Sequence, residues 1–317
     1  MRLLATPLFV LFIVCLGAAL SACQPPGPPQ AAQAAPADTA HATTVSDSIR
    51  ALVAMQDSGA IAMPLLERRR LVAEDSLWAE ALRIHYNAIV MDGHIDTPLH
   101  MVDDGYPFTR RHTWRRSHVD LPRMAQGGLD APFFSIYVAP YYGEGARAVR
   151  RARTLIAEVK RQVATTDSAA MAYTAADVRR LTKQGTKAIL MGVEGGHALA
   201  ASPDTLRALA DAGIRYVTLT HVNTNRWADS SQDAPQHGGL SALGRRMVRA
   251  MNDAGVLVDL SHVSDSTFFD AIDATRAPVI VSHSSCRHLT PTVRNVSDAQ
   301  LRAVAATGGV VMINFFD

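Results

Sequence analysis

Five short apolar runs in this sequence each end in side chains that can bind a metal ion. The runs are AIVMDGHID (88–96), KAILMGVEGG (187–196), YVTLTHVN (216–223), VLVDLSH (256–262) and PVIVSHSS (278–285). The side chains that they carry are His94, Asp96, Glu194, His221, His262 and His283. Imidazole together with carboxylate suits zinc, with Co²⁺ or Mn²⁺ as alternatives. Two such ions about 3.5–4 Å apart would hold a bridging hydroxide and polarise a substrate carbonyl, so the sequence predicts a binuclear metal hydrolase.

The spacing of these residues indicates which of them share an ion. His94 and Asp96 form an H-x-D pair, and residues two apart on an extended segment point the same way, so both can ligate one cation. Glu194 has two carboxylate oxygens and can bridge two cations, and the two glycines after it let the backbone bend away. His262 and His283 would then supply imidazole ligands to the second ion.

Apolar strands alternate with helical segments through most of the chain. We count seven strand candidates, at 87–92, 132–138, 187–193, 214–220, 256–261, 278–282 and 308–315. Helical segments at 202–213, 241–255 and 297–309 each begin with a capping serine. This alternation implies parallel strands joined by right-handed crossovers. We therefore expect an α/β fold, a TIM (β/α)8-type barrel of the metal-dependent hydrolase kind with seven of its eight strands present. Such a barrel gathers its strand ends, and hence the six side chains, at one face.

The N-terminal segment has the composition of an export signal followed by a tether. Arg2 precedes an uncharged apolar stretch, and LSAC at 20–23 resembles a bacterial lipobox in which Cys23 receives the lipid. An ordinary signal peptide or a transmembrane anchor is the alternative. A lipid at Cys23 would make this an exported protein anchored to the cell envelope, at the outer membrane or periplasmic face in a Gram-negative organism. The expected division is a lipoprotein signal peptide (1–22), a Pro/Ala-rich tether (23–45), a helical extension (46–86) and the barrel (87–317).

The composition describes an ordinary globular protein. The apolar fraction is 48% and the charged fraction 19%, which a disordered chain would not show. The net charge of +2 gives no electrostatic case for a nucleic-acid partner. Three cysteines cannot form a disulfide framework, and Cys286 is expected to be structural.

Seven ordered blocks resemble the renal (membrane) dipeptidases, a family of binuclear zinc peptidases. They are DGHIDTP (92–98), HVDLPRMAQGG (118–128), GVEGG (192–196), LTHVNTNRWADS (219–230), GLSALGRRMVRAMNDAGVLVDLSH (239–262), SHSSCR (282–287) and RNVSDAQL (294–301). The resemblance implies that a metal-bridging hydroxide cleaves the peptide bond of dipeptides, including those with a C-terminal D-residue. Family members are often dimeric, so a homodimer is an option that no residue here decides.

The resemblance also implies roles for individual residues. It places His94, Asp96 and Glu194 on one Zn²⁺ and Glu194, His262 and His283 on the other. His221 matches the histidine that lies beside the substrate and stabilises the oxyanion. Arg294 matches the arginine that binds the free carboxylate of the substrate.

Four further residues near these motifs have weaker or different expectations. Asn223 is a candidate for a pocket hydrogen bond, and Asn225 is a second one. Trp227 is as well explained by packing as by a place in the pocket wall. His197 is expected to pack or to cap the next helix.

The sequence departs from the family pattern at its C-terminal side. In the family, an aspartate at the end of the eighth strand serves in proton transfer, whereas Asp317 follows the seventh strand and does not match it. We expect the 317 residues to be the N-terminal part of a longer gene product, with a decayed copy as the alternative.

Two other functions compete with the dipeptidase interpretation. One is another binuclear amidohydrolase acting on a lactone, cyclic amide or phosphotriester, and the other is a catalytically inactive lipid-tethered remnant. Arg294 separates the first from a dipeptidase, since only a substrate with a free carboxylate should need it.

Overall fold

A computed structural model describes residues 76–113 and 116–315 of the chain. The expected signal peptide (1–22), the lipid-bearing Cys23, the tether (23–45), most of the helical extension (46–86) and Asp317 lie outside the described residues. Those expectations therefore stay predictions.

Seven parallel strands form one curled sheet in the order β1-β2-β4-β5-β6-β7-β8, and the short strand β3 pairs with β4 beside this path. The arrangement is that of the expected TIM (β/α)8-type barrel with seven strands. The seven strands of this sheet, together with the additional β3, are β1 Met91–Ile95, β2 Ala131–Tyr137, β3 Ala169–Met171, β4 Lys187–Glu194, β5 Ile214–Thr218, β6 Leu257–Asp259, β7 Ile280–Val281 and β8 Val310–Val311. All of their pairings are parallel, so every C-terminal strand end lies at the same edge.

Nine helices alternate with the strands along the described part of the chain. They are α1 Ser76–Asn87, α2 Thr97–Asp103, α3 Leu121–Gly127, α4 Ala146–Val163, α5 Ala175–Lys183, α6 Pro203–Asp211, α7 Ala242–Asp253, α8 Asp265–Ala274 and α9 Asp298–Ala306. Two 3₁₀ turns lie at Pro140–Tyr142 and Gly196–Leu199. The three capping serines are confirmed, since Ser202, Ser241 and Ser297 each accept a hydrogen bond from the backbone of the first helical turn.

Two details differ from the sequence-based expectation. The first strand begins at Met91 rather than at residue 87, because α1 continues through Asn87. Strand β3 was missed because three residues, Ala-Ala-Met, are too few to give a periodic apolar signal. Neither change moves a proposed ligand away from a strand end.

The sheet interior is closely packed around β4, whose residues are buried from Ala188 to Glu194. Gly192 of β4 pairs with Tyr216 of β5, and a Cβ added at Gly192 would lie 2.1–2.4 Å from atoms of the Tyr216 ring. The absence of a side chain at Gly192 thus makes room for a fully buried tyrosine.

The described residues form two compact units. The smaller unit includes α1 and residues 126–128, where the Tyr86 hydroxyl donates to the carbonyl oxygen of Gln126 at 2.6 Å. The larger unit contains the sheet and the residues expected to bind metal or substrate. None of the helices in the described part of the chain is both long and apolar enough to cross a membrane.

Replacing Gly192 by alanine tests this packing. The added methyl group must displace the Tyr216 ring, so we expect Gly192→Ala to lower the free energy of unfolding by about 1–3 kcal/mol, as overpacked cores do. Urea unfolding measures the change. Gly127→Ala is the matched control, because an added Cβ there meets no described atom within 4 Å. Equal stabilities for the two variants would contradict the packing described.

Candidate metal centre

The five expected metal ligands and His221 do meet at the C-terminal edge of the sheet. His94 lies in β1 and Glu194 is the last residue of β4, while His221 and His262 each follow their strand by three residues. His283 follows β7 by two. The parallel direction of the strands is what brings these chain positions together.

Glu194 lies at the centre of the cluster. Its Oε2 is 3.3 Å from Nε2 of His94, and its Oε1 is 3.2 Å from Nε2 of His262, 3.3 Å from that of His283 and 3.8 Å from that of His221. The residue is 3% exposed. Burial alone would raise its pKa, but the charge of protonated His94 and the hydrogen bond that His94 donates hold the pKa well below its ordinary value. The carboxylate is therefore ionised, and it needs positive charge beside it.

The ligand atoms form two overlapping groups that share Glu194. One group contains His94, Glu194 and His283, and the other contains Glu194, His221 and His262, with all ligand atoms of a group within 4.8 Å of one another. The expected sets instead joined His262 with His283 and left His221 outside. Those two histidines are close as well, since their Nε2 atoms are 2.9 Å apart.

Asp96 lies near the cluster, but its backbone conformation is not the extended one that was expected. It lies beyond β1 as the residue before α2, with φ −81° and ψ 11°, so the rule for extended residues does not apply to it. Its Oδ1 is nevertheless 3.4 Å from Nε2 of His94. The Asp96 side chain is 55% exposed whereas that of His94 is 7% exposed, so Asp96 lies on the open side of the cluster.

Three of the four histidines have a hydrogen-bond partner at Nδ1, the ring nitrogen that faces away from Glu194, and the fourth has none among the described residues. Nδ1 of His94 is 2.9 Å from the Tyr216 hydroxyl, Nδ1 of His262 is 3.3 Å from Oε1 of Gln232, and Nδ1 of His283 is 2.7 Å from Oγ of Ser282. Nδ1 of His221 is buried and has no hydrogen-bond partner among the described residues. Metal-ligating histidines almost always donate their second N–H to an oxygen, and this favours His94, His262 and His283 as ligands.

The donor set fits divalent cations. Burial lowers the pKa of His262 to about 3 and that of His283 to about 4, so both rings are neutral near pH 7. The carbonyl oxygen of Gln232 accepts the one ring proton of neutral His262, which leaves a lone pair on Nε2. This lone pair faces the Nε2 atom of His283 and the ionised Oε1 of Glu194 at close range. A cation placed among these atoms would compensate all of them.

Arg294 lies beside this cluster, where its guanidinium donates two hydrogen bonds within the described residues. Its Nη1 donates to Oγ of Ser284 at 2.6 Å and its Nη2 to the carbonyl oxygen of His283 at 2.7 Å. Burial lowers the pKa of Arg294 to about 10, and the charges of Asp259 and Glu194 oppose this shift. The guanidinium is thus still a cation at neutral pH, next to a ligand histidine.

The four weaker candidates differ in how much of their side chain is available. Asn223 is half-buried, and its Oδ1 has no hydrogen-bond partner among the described residues, so it can bind a ligand. Asn225 cannot, because its amide group binds the backbone of Leu219, Trp227 and Ala228. Trp227 is fully buried against Gly196 and is a packing residue.

His197 is buried, as expected of a packing residue, whereas the structural role expected of Cys286 stays a prediction. His197 is 1% exposed, and its ring lies against Gly195, where an added Cβ would be 2.5 Å from Cε1. Cys286 is a free cysteine of intermediate exposure.

Several residues of the site were not identified from the sequence. Ser135 of β2 donates to Oε2 of Glu194 at 3.4 Å, and Tyr137 at the end of β2 packs edge-on against His221 with ring centroids 5.0 Å apart. Tyr216 and Gln232 hold two of the histidines, as described above. The position of Tyr137 at a strand end is a signal that could have identified it, whereas Gln232 is brought in by a long loop.

That loop, residues 222–240, is fastened to the site by its own polar groups. Ser230 Oγ donates to the carbonyl oxygen of His221 at 2.6 Å, and the backbone N–H of Ser231 donates to that of His262 at 2.8 Å. Asp229 is fully buried and accepts hydrogen bonds from three backbone N–H groups of the loop. His262 has φ 68°, a left-handed conformation that is uncommon outside glycine and that clusters at functional sites.

Comparison with known proteins places the chain among metallopeptidases. A model of the membrane dipeptidase family (peptidase family M19) matches residues 78–317. Dipeptidase tcpJ of Claviceps purpurea is 37% identical over 278 residues, which cover 83% of this chain and 65% of that protein. The chain thus spans just under two thirds of the length of this curated relative.

Two solved structures are similar in fold as well as in sequence. The crystal structure of the probable dipeptidase PvdM from Pseudomonas aeruginosa has a TM-score of 0.67 and 28% identity, with 74% of this chain and 62% of that chain covered. A metallopeptidase from Rhodobacter sphaeroides, liganded with a phosphinate mimic of the dipeptide L-Ala-D-Ala, has a TM-score of 0.64 and 26% identity. The match covers 72% of this chain and 74% of that one.

The site predicts a definite pH dependence for metal binding. Burial alone would lower the pKa of His94, but the charges and hydrogen bonds of Glu194 and Asp96 raise it well above its ordinary value. In the metal-free protein His94 therefore holds a proton that an incoming cation must displace, and the affinity for Zn²⁺ should rise with pH up to the pKa of His94.

Isothermal titration calorimetry at pH 7, in buffers of different ionisation enthalpy, measures the protons released on Zn²⁺ binding. We expect about one proton from His94, because Glu194 and the other two histidines are already deprotonated. His94→Gln should bind Zn²⁺ more weakly and without this proton. Unchanged proton release in His94→Gln would contradict the assignment.

Proposed function

The chain belongs to the membrane dipeptidase family (peptidase family M19), and we propose that it hydrolyses the peptide bond of dipeptides. The observation that carries the proposal is a buried carboxylate surrounded by histidines, with the guanidinium of Arg294 beside it. This arrangement combines a place for the reacting carbonyl with a cation for the free carboxylate of a small substrate.

The proposed ligand sets are those that the family resemblance implies. His94, Asp96 and Glu194 would hold one ion and Glu194, His262 and His283 the other, with zinc favoured by the imidazole and carboxylate donors and Co²⁺ or Mn²⁺ as alternatives. When bound, such ions lower the pKa of water and polarise a carbonyl group. The outer hydrogen bonds of the three histidines keep each ring in the orientation that this requires.

His221 has the properties of a hydrogen-bond donor to the substrate. Burial lowers its pKa, so the ring is neutral and carries one proton. Nδ1 has no acceptor among the described residues, so nothing draws the proton there, and Nε2 can carry it toward the site. A donor at Nε2 stabilises the oxygen of the scissile carbonyl as negative charge develops on it.

Arg294 would bind the C-terminal carboxylate of the dipeptide. Two of its five N–H groups are used by Ser284 and the main chain of His283. Those two contacts fix the plane of the guanidinium, which leaves the remaining donors for a carboxylate. Asn223 would add one hydrogen bond to the substrate.

The substrate class follows from the same site. A relative of similar fold is liganded with a phosphinate mimic of L-Ala-D-Ala. We include dipeptides with a C-terminal D-residue in the proposal for this chain, which makes cell-wall-derived dipeptides substrates alongside nutritional ones. A lipid on Cys23 would place the enzyme at the cell envelope, where such dipeptides are released.

Removing the central carboxylate should abolish hydrolysis. We expect Glu194→Ala to reduce kcat/KM for dipeptides more than about 100-fold, because both ion sites lose a shared ligand. Glu158→Ala is the control, since Glu158 pairs with Arg161 on the outer helix α4 and should retain activity. Near-normal turnover by Glu194→Ala would refute the proposed function.

The role of Arg294 is tested by comparing substrates with and without a free carboxylate, as well as by substitution. Dipeptides should be hydrolysed and their C-terminal amides should not. Arg294→Lys should raise KM for dipeptides by about 10- to 100-fold, as expected when one charged hydrogen bond of a bidentate pair is lost. Arg276→Lys, whose exposed side chain pairs with Asp253, should leave KM unchanged. Equal hydrolysis of dipeptides and their amides would instead favour a different amidohydrolase reaction.

A further inference from the structure

Asp259, the last residue of β6, is a fully buried carboxylate that the proposed reaction does not use. Its Oδ1 accepts hydrogen bonds from the backbone N–H groups of Ser261 at 3.1 Å and Ser282 at 2.8 Å. Its Oδ2 accepts from the hydroxyl groups of Thr218 and Ser282, both at 2.6 Å. Four donors converge on one side chain, and only an ionised carboxylate can accept from all of them.

Ser282 links Asp259 to the metal ligand His283 through two hydrogen bonds. Its hydroxyl group has a single proton, which it donates to Oδ2 of Asp259. The same oxygen lies 2.7 Å from Nδ1 of His283, so there it must act as the acceptor of the ring N–H. A neutral imidazole with its proton on Nδ1 has its lone pair on Nε2, the atom that is 3.3 Å from Oε1 of Glu194.

We propose that Asp259 is a positioning residue that acts through Ser282 to hold His283 in the tautomer that can ligate a metal ion. The backbone of His283 is held by the same group of residues, since its N–H donates to Oγ of Ser261 at 3.0 Å. The inference rests on the proposed function for the use of the metal, but the tautomer itself is a property of the metal-free chain.

The network also connects the two halves of the site. The negative charge of Asp259 raises the pKa of Arg294 against the effect of burial. Arg294 in turn donates to the carbonyl oxygen of His283. One buried carboxylate therefore supports both a metal ligand and the cation proposed to bind the substrate carboxylate.

Asp259→Asn should reverse the direction of the two hydrogen bonds that link residue 259 to Ser282 and Ser282 to His283. The amide oxygen must take the place of Oδ1, because two backbone N–H groups point at it, so the NH2 group takes the place of Oδ2. It then donates to Ser282, whose hydroxyl is left to donate to Nδ1 of His283. The ring proton moves to Nε2 and blocks metal ligation there.

The tautomer is read directly by long-range ¹H–¹⁵N NMR of the metal-free protein at pH 7, with the His283 signals assigned by comparison with His283→Gln. We expect Nδ1–H in the parent protein and Nε2–H in Asp259→Asn. Zn²⁺ affinity, measured by competition with a chelator, should fall about 10- to 100-fold in Asp259→Asn, as for other residues that orient a ligand histidine.

Two more variants separate positioning from a loss of folding. Ser282→Ala removes the hydroxyl between Asp259 and His283, so the His283 ring should lose its preference for the Nδ1–H tautomer. Ser282→Thr keeps a hydroxyl there and should retain both the Nδ1–H tautomer and the Zn²⁺ affinity of the parent. Thr218→Val removes the other hydroxyl from the same carboxylate oxygen without touching His283, so its tautomer and Zn²⁺ affinity should match those of the parent.

An Nε2–H tautomer in the parent protein, or an unchanged tautomer in Asp259→Asn, would overturn the inference. A Zn²⁺ affinity lowered equally in Thr218→Val would also overturn it, because the effect would then be general to the buried cluster. The dipeptide assay is independent of these results: a tautomer switch without dipeptide hydrolysis would support the role of Asp259 and reject the proposed function.

Discussion

A single ionised carboxylate in a buried position is the constraint on which this site depends. Glu194 is 3% exposed, and its negative charge is costly in a medium of low dielectric unless positive charge and hydrogen bonds surround it. The sheet meets this need by ending three other strands in histidines that point at the same two oxygens. In the metal-free chain the proton on His94 supplies part of the compensation, and the same geometry allows cations to replace it.

The surrounding structure sets the direction of each ring. The hydroxyl of Tyr216, the amide of Gln232 and the hydroxyl of Ser282 each contact the outer nitrogen of one histidine, and His221 lacks such a contact within the described residues. These contacts depend in turn on the fold. Tyr216 fits because Gly192 has no side chain, and Gln232 is in reach because the 222–240 loop is tied to the backbone of His221 and His262.

The strand ends could be predicted from sequence because a buried parallel strand is a continuous apolar run. The polar residue that follows the run therefore marks where the strand ends. Glu194 and His283 were found in this way, and the resemblance to a known family added Arg294. Strand β3 could not be predicted because three residues are too few to show a periodic pattern. The backbone at Asp96 is not extended, so the rule that residues two apart point the same way did not apply to it. Asp259 was visible in VDLSH, but its partners Thr218 and Ser282 come from neighbouring strands and only the fold brings them together.

We propose that Glu194 is shared by two ions while His221 contacts the substrate. Anomalous diffraction at the zinc absorption edge, from crystals grown with Zn²⁺, tests it most directly. We expect two anomalous-difference peaks, one on each side of Glu194. One should lie beside His94 and Asp96 and the other beside His262 and His283. Neither peak should lie at the ligand distance of about 2.0–2.1 Å from Nε2 of His221. A single peak, or one with His221 among its ligands, would contradict the account.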